Sequence, residues 1–222
     1  MATLGDIKTR IITELSRDDL SDDLAVQLDT HIMRAIEYYS DTRFWFNAAL
    51  GTATATPSSA TVAIPSDIRT ITRVTIPVVQ VDLVEKTFPL IVDVHNASAG
   101  KPQFYAYYNN SIWLSPVPDA AYVLQFYGIA QITQPAGDNA STVWTNEAQD
   151  LIVNHTKMTL YRDQFRDPEG TQLALGATQD SFKRLRRETA RRLVTSLRLD
   201  KAYGTIHYKL LLRFNIDTHS NR

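Results

Sequence analysis

Residues 101–119 read KPQFYAYYNNSIWLSPVPD, an aromatic-rich run around two turns with almost no reactive side chain in it. Phe104–Tyr108 has the composition of a strand. Asn109-Asn110 suits a two-residue hairpin turn, because asparagine tolerates the positive φ that such turns demand. Ser111–Ser115 returns as a second strand, Pro116, Pro118 and Asp119 make the next turn, and AAYVLQFYGIA (120–130) follows as a third. The spacing predicts a β-meander. A three-stranded sheet is marginal alone, and aromatics maximise the area buried per residue, so their density predicts a stiff scaffold. The competing reading is a ligand-binding module that stacks a ligand on Tyr105, Tyr107 and Trp113.

Outward from this stretch the pattern stays β on one side and turns helical on both flanks. FWFNAALGTATATPSSATVAIP (44–65) is rich in Thr, Val and Ala, is punctuated by Gly51 and Pro57, and predicts a hairpin. DIRTITRVTIP (67–77) alternates as a strand, and FPLIVDVHNASAG (88–100) predicts a short helix or an irregular loop. Upstream, Thr3 can cap a helix with Asp6 three residues on, and Leu4, Ile7, Ile11 and Leu15 share its face. After RDDLSDD, Ser21 or Asp22 can cap a second helix carrying Leu24, Leu28, Ile32, Ala35, Ile36 and Tyr39 on one side. Downstream, WTNEAQDLIVNHTKMTLYRDQF (144–165) is helical, with Thr145 or Asn146 as cap and Leu151, Ile152, His155, Met158 and Thr159 on one face. Asp167 can cap a last helix, with Pro168 in its first turn, running to about Leu199. The expected fold is α+β: a bundle of four main helices with an inserted antiparallel β-meander and a C-terminal amphipathic strand. The expected segments are a helix pair at 1–43, the β domain at 44–140, the returning helices at 141–200 and an extension at 201–222.

Composition and motifs narrow the chemistry. The apolar fraction of 44% and the charged fraction of 21% are those of an ordinary globular chain. There is no cysteine, which removes disulfides and thiolate metal sites. The N-terminus is charged throughout, and no apolar run has the length of a membrane span, so no membrane association is expected. His31, His95, His155, His207 and His219 stand at no metal-binding spacing on a helix face, and no nucleophile elbow, phosphate loop or HExxH appears. The expectation is a non-enzyme without cofactor or metal.

Charge is more informative. Residues 183–201, KRLRRETARRLVTSLRLDK, hold eight basic residues against two acidic ones, a net +6 that leaves −7 for the rest of a chain of net −1. At about 100° per residue, Phe182, Leu185, Thr189, Leu193 and Leu197 point one way. Lys183, Arg184, Arg187, Arg191 and Arg198 gather opposite as a basic stripe suited to DNA phosphates or a neighbour's carboxylates. Asp18, Asp19, Asp22 and Asp23 form an acidic pole at the front. Such a distribution suits head-to-tail contact between copies, or non-enzymatic nucleic-acid binding. Finally, GTIHYKLLLRFNID (204–217) places Ile206, Tyr208, Leu210, Leu212, Phe214 and Ile216 on one side of a strand, with only Leu211 out of phase. An exposed strand of this kind is an aggregation hazard, so it must add to a sheet: its own, a neighbour's or a partner's.

These features together resemble the head-to-tail adaptor (connector) proteins of tailed bacteriophages. The likeness rests on the helix pair ending in Tyr38, Tyr39, Phe44, Trp45 and Phe46, on IPSDIRTITRV (64–74), on GKPQFYAYYNNSIWLSPVPDAAYVLQFYG (100–128) and on Trp144 before the last helices. It spans about residues 4–165. The resemblance implies a virion protein made in the host cytoplasm, assembled as a dodecameric ring of helical bundles around a DNA channel. Its implied partners are the portal, a downstream tail or nozzle protein and the packaged DNA, with C-terminal elements docking on the portal.

Overall fold

The computed structural model describes residues 1–15, 22–94 and 99–201. Asp18, Asp19, His95 and the strand expected at 206–216 lie outside the described residues. The element order is α1 (Leu4–Leu15), α2 (Asp22–Tyr39), β1 (Ala48–Ala55), β2 (Thr61–Ala63), β3 (Ile68–Ile76), β4 (Val81–Asp82), β5 (Val84–Glu85), α3 (Phe88–Val94), β6 (Ala99–Gly100), β7 (Phe104–Tyr108), β8 (Ser111–Ser115), β9 (Val117–Pro118), β10 (Tyr122–Ala130), α4 (Val143–Glu147), α5 (Gln149–Leu160) and α6 (Pro168–Lys201). The protein is α+β, with helices on both sides in sequence of an inserted, mainly antiparallel β module in which, among the described residues, only the short pairs β5–β7 and β6–β9 are parallel.

Local chemistry sets the helix ends. The Thr3 amide donates to Asp6 Oδ2 (2.8 Å) while the Asp6 amide donates to Thr3 Oγ1 (3.2 Å), a reciprocal capping box for α1. Asp167 Oδ1 accepts from the amides of Glu169 and Gly170, both at 3.1 Å, and so caps α6 behind Pro168. The cap before α4 is Thr142 rather than Thr145 or Asn146: Thr142 Oγ1 accepts from the Thr145 amide, and Thr145 Oγ1 accepts from the Thr142 amide. The helical run then breaks at Ala148, and α5 ends in a π turn over Tyr161–Phe165, beyond which Arg166 takes φ 50°. Helix α5 is the hub of the bundle. Leu151, Ile152, Val153, His155, Thr156 and Leu160 are all buried, which is more than one amphipathic face, because α1, α2 and α6 each pack on it. The residues N-terminal and C-terminal to the β module share one core, from Leu4, Ile7 and Ile11 through Ile32 and Ile36 to Leu151, Ile152 and Leu185.

The β module differs in topology from the predicted meander. The β7–β8 hairpin forms as expected, with Asn109 and Asn110 at φ 50° and 56°. The third strand, β10, does not pair with β8. It lies between β1 and β3 in a separate sheet of order β1-β10-β3-β4, while β7 and β8 belong to a sheet of order β2-β8-β7-β5. Likewise β1 and β2 are not a hairpin, since each joins a different sheet. The side-chain period of two says which face is buried but not which strand is adjacent, so a chain that steps between two sheets at its turns reads like one that stays in a single sheet. The two sheets enclose a second core of Val74, Ile76, Tyr105, Ile112, Leu114, Leu124 and Phe126.

An aromatic joint connects module and bundle. Phe44 and Phe46 stack at 5.2 Å, and both meet Trp144 edge-on, at 6.1 and 5.2 Å. Arg69 at the start of β3 adds ion pairs to Glu37 and Asp41 at the end of α2, at 2.6 and 2.8 Å. Both carboxylates are largely exposed, so the aromatic contacts carry most of the energy of the joint.

Candidate interaction surfaces

The predicted basic stripe lies on the exposed side of α6, where Lys183, Arg184, Arg187 and Arg191 all face solvent while Leu185 and Thr189 are buried. Arg198 belongs to the same helix, near its end. Much of the stripe's charge is answered within the chain. Arg184 joins Asp150 of α5, which also accepts from Arg10 Nη1 of α1 at 2.7 Å, so one carboxylate ties three helices together. The two guanidiniums hold the Asp150 carboxyl below the usual carboxylate range. Lys183 reaches Asp180 at 3.6 Å, and Arg191 and Arg192 both reach Glu188, at 2.6 and 2.7 Å. Arg187 has no ion-pair partner among the described residues. Arg192 also sits 4.4 Å over the ring of Trp45, a cation–π contact that the sequence did not signal, because the two residues are far apart in the chain. Of the acidic pole, Asp22 and Asp23 open α2.

A second surface was not anticipated. Two adjoining grooves, of about 440 Å³ between α2, α5 and α6 and of about 370 Å³ between α2, α5 and the π turn, share Tyr38, His155 and Met158 in their walls. His155, expected on the core face of α5, is buried there, with Nδ1 3.0 Å from the Tyr39 hydroxyl. Burial, with Arg162 adding to it, pushes its pKa down. His31 Nδ1 meets Thr159 Oγ1 at 3.0 Å. Burial again lowers its pKa, with Asp163 opposing and Arg34 and Arg162 assisting. Burial raises the Tyr39 phenol to about 12.

The pH dependence follows from these directions. A histidine that stays neutral longer in the folded chain leaves the unfolded chain as the better proton acceptor, so stability is lost as pH falls below the ordinary 6.5. A phenol with a raised pKa works the other way, and its contribution is lost as pH rises above the ordinary 10.0 toward about 12. The urea midpoint should therefore hold level between these limits and decline on both sides. His155→Gln should flatten the first part of the acid decline, above the range in which Glu14, Asp150 and Asp163 begin to protonate. An unchanged acid slope in that variant would remove His155 from the account.

The aromatics of 101–119 do not form the ligand-stacking face that the sequence offered as its alternative. Tyr105 is buried, with its hydroxyl 3.5 Å from Glu85 Oε2, so Tyr105, Tyr107 and Trp113 share no open stacking face. Nor are the aromatics mainly core, since Tyr107 and Tyr108 are 56% and 50% exposed. Tyr108 instead stacks on Phe88 of α3 at 4.0 Å, and Phe88 meets Trp113 edge-on at 5.1 Å. The rings clamp α3 to the hairpin from outside. Among the described residues, no group of three or more His, Asp or Glu is placed to hold a metal ion, and no helix is long and apolar enough to cross a membrane.

Comparison with known proteins adds one match. The chain fits the family described as SU10 adaptor protein over residues 2–200, a span that takes in both helical flanks, the whole β module and nearly all of α6. A search of curated proteins finds no matching relative.

Proposed function

We propose that this chain, which belongs to the SU10 adaptor protein family, forms the ring that connects the portal to the tail of a phage particle and continues the DNA channel through it. The coarser identity, a structural adaptor of a bacteriophage particle, comes with family membership. The observation that carries the finer reading is the family match across the whole bundle and β module. The charge pattern supports it: a basic, solvent-facing helix at one end of the sequence and an acidic pole at the other suit copies that meet head to tail. In this reading Arg187 and its neighbours on α6 face a second copy or the DNA backbone, and residues 206–216 supply the contact to the portal or to the next copy. No catalytic step and no cofactor enter the role, and the protein works in the virion at the head–tail junction.

Deleting residues 203–222 tests the reading. The truncated chain should keep the far-UV spectrum and melting behaviour of its bundle yet be lost from purified particles. Normal incorporation would remove the tail from the proposed contact. A second reading, a free subunit that binds nucleic acid through α6, is favoured by Arg187, which has no ion-pair partner among the described residues. It requires duplex binding that falls steeply with salt, by about the number of phosphates neutralised on a log–log plot.

A further inference from the structure

Edge strands are where folded proteins guard against unwanted pairing, by keeping them short, charged, proline-bearing or bulged. In the two four-stranded sheets, three of the four edges are guarded by brevity. β4 and β5 have two residues each and β2 has three. The fourth, β1, is different. It is eight residues long and reads AALGTATA, with no charge and no proline. Its register against β10 runs without a shift from Ala48↔Ile129 to Ala55↔Tyr122, whereas the β10–β3 pairing is interrupted twice. Along the side of β1 away from β10, no backbone hydrogen bond is made among the described residues.

The face that β1 turns inward is unusually small. Ala49, Gly51, Ala53 and Ala55 point toward the core while Ala48, Leu50, Thr52 and Thr54 point to solvent. Pro65 and Ile68 lie close against the inward face at Gly51, and β1 itself brings only alanine and glycine to that face. The sequence holds one alternating segment with the opposite property: as a strand, residues 206–216 would place Ile206, Tyr208, Leu210, Leu212, Phe214 and Ile216 on one face and mainly polar residues on the other. That segment is long enough to span all of β1.

Resting on the ring reading, we propose that residues 206–216 of one copy add as a strand to the open edge of β1 in a neighbouring copy. The large apolar face would lie over Ala49, Ala53 and Pro65, and the polar face would share the outside with Thr52 and Thr54. Each copy then donates one strand and accepts one, a heterologous contact that repeats until the circle closes. The position of α6 supports delivery near such an edge: Arg192 packs on Trp45, three residues before β1 begins, and the helix continues to Lys201.

The absence of native cysteine makes the test clean. Thr52→Cys is combined in turn with His207→Cys, Lys209→Cys or Arg213→Cys in the full chain, and particles are run on a non-reducing gel. Directly opposed residues on adjacent strands fall within disulfide reach, so one pairing should give a ladder of covalent multimers. The ladder should be lost when Leu173→Cys, exposed on α6, replaces Thr52→Cys. A faster-migrating monomer without a ladder would mean that the strand folds onto its own β1, and protein present in particles with no cross-link would mean that it pairs elsewhere. Either result overturns the inference and leaves the ring intact. Protein missing from particles would instead refute the ring reading. The same gel run on concentrated free protein then decides strand exchange alone: a ladder upholds it, and a monomer or no cross-link overturns it.

Discussion

Replacing Trp144 by alanine should cost about 3–5 kcal/mol, the range for emptying a buried aromatic site. Trp144 is 1% exposed and is the edge-on partner of both Phe44 and Phe46. Its removal opens a cavity where the chain leaves α2 for the β module and where Phe44 also contacts Phe182 of α6. Against a typical domain stability of about 5–15 kcal/mol, such a loss takes about a fifth of the total or more. Urea unfolding followed at Trp45 and Trp113, the two remaining tryptophans, measures it. One lies at the joint and the other in the β module, so both signals should move to lower urea together. A cost under about 1 kcal/mol, within the range of an ordinary surface change, would mean that the joint is not where bundle and module are held.

Gly128→Ala should be the second severe change, about 3 kcal/mol, at the upper end of overpacking costs. A Cβ there would stand 2.2 Å from the Thr70 carbonyl oxygen. No rotamer relieves a clash with backbone. β3 must move away from β10 at the place where their register already shifts. Gly51→Ala makes the instructive contrast, because the atoms it meets first are the end of the Ile68 side chain and the Pro65 ring, at 2.9 and 3.0 Å. It should cost clearly less. Thermal melts of the two variants side by side check the order, and equal losses would contradict the clash argument.

Much of the fold was legible because local chemistry specified it. Thr3 with Asp6 and Asp167 with Pro168 are helix starts that backbone amides require, and Asn109-Asn110 is a turn that positive φ requires. The apolar faces of α1 and α2 follow from a period of 3.6 residues, which has no second interpretation at that length. What escaped was partnership. Alternation in β1 and β10 shows two half-buried strands but not that they pair across more than sixty intervening residues. Strands of two residues, such as β4 and β6, carry no periodic signal at all.

The candidate surfaces divide along the same line. Helical spacing put Lys183, Arg184, Arg187 and Arg191 on one side of α6, and that side is exposed, but spacing along one helix carries no sign that Asp150 of α5 pairs with Arg184. The aromatic count around the hairpin suggested a core. The interior is mostly aliphatic, because Ile112 and Leu114 fill it and the outer rings clamp α3 instead. His155 was visible on a helix face and His31 only as one of five histidines, and the groove they share exists only once α2 and α5 are packed.

We propose that the working form of this chain is a closed ring in which residues 206–216 of each copy seat on another protein chain, a neighbouring copy or the portal. Electron microscopy of the head–tail junction in intact particles tests it most directly. The account predicts a ring beneath the portal, with each copy's terminal strand seated on another protein chain and a continuous channel along the axis. Copies with little mutual contact, each with its terminal strand turned back on its own sheet, would contradict it.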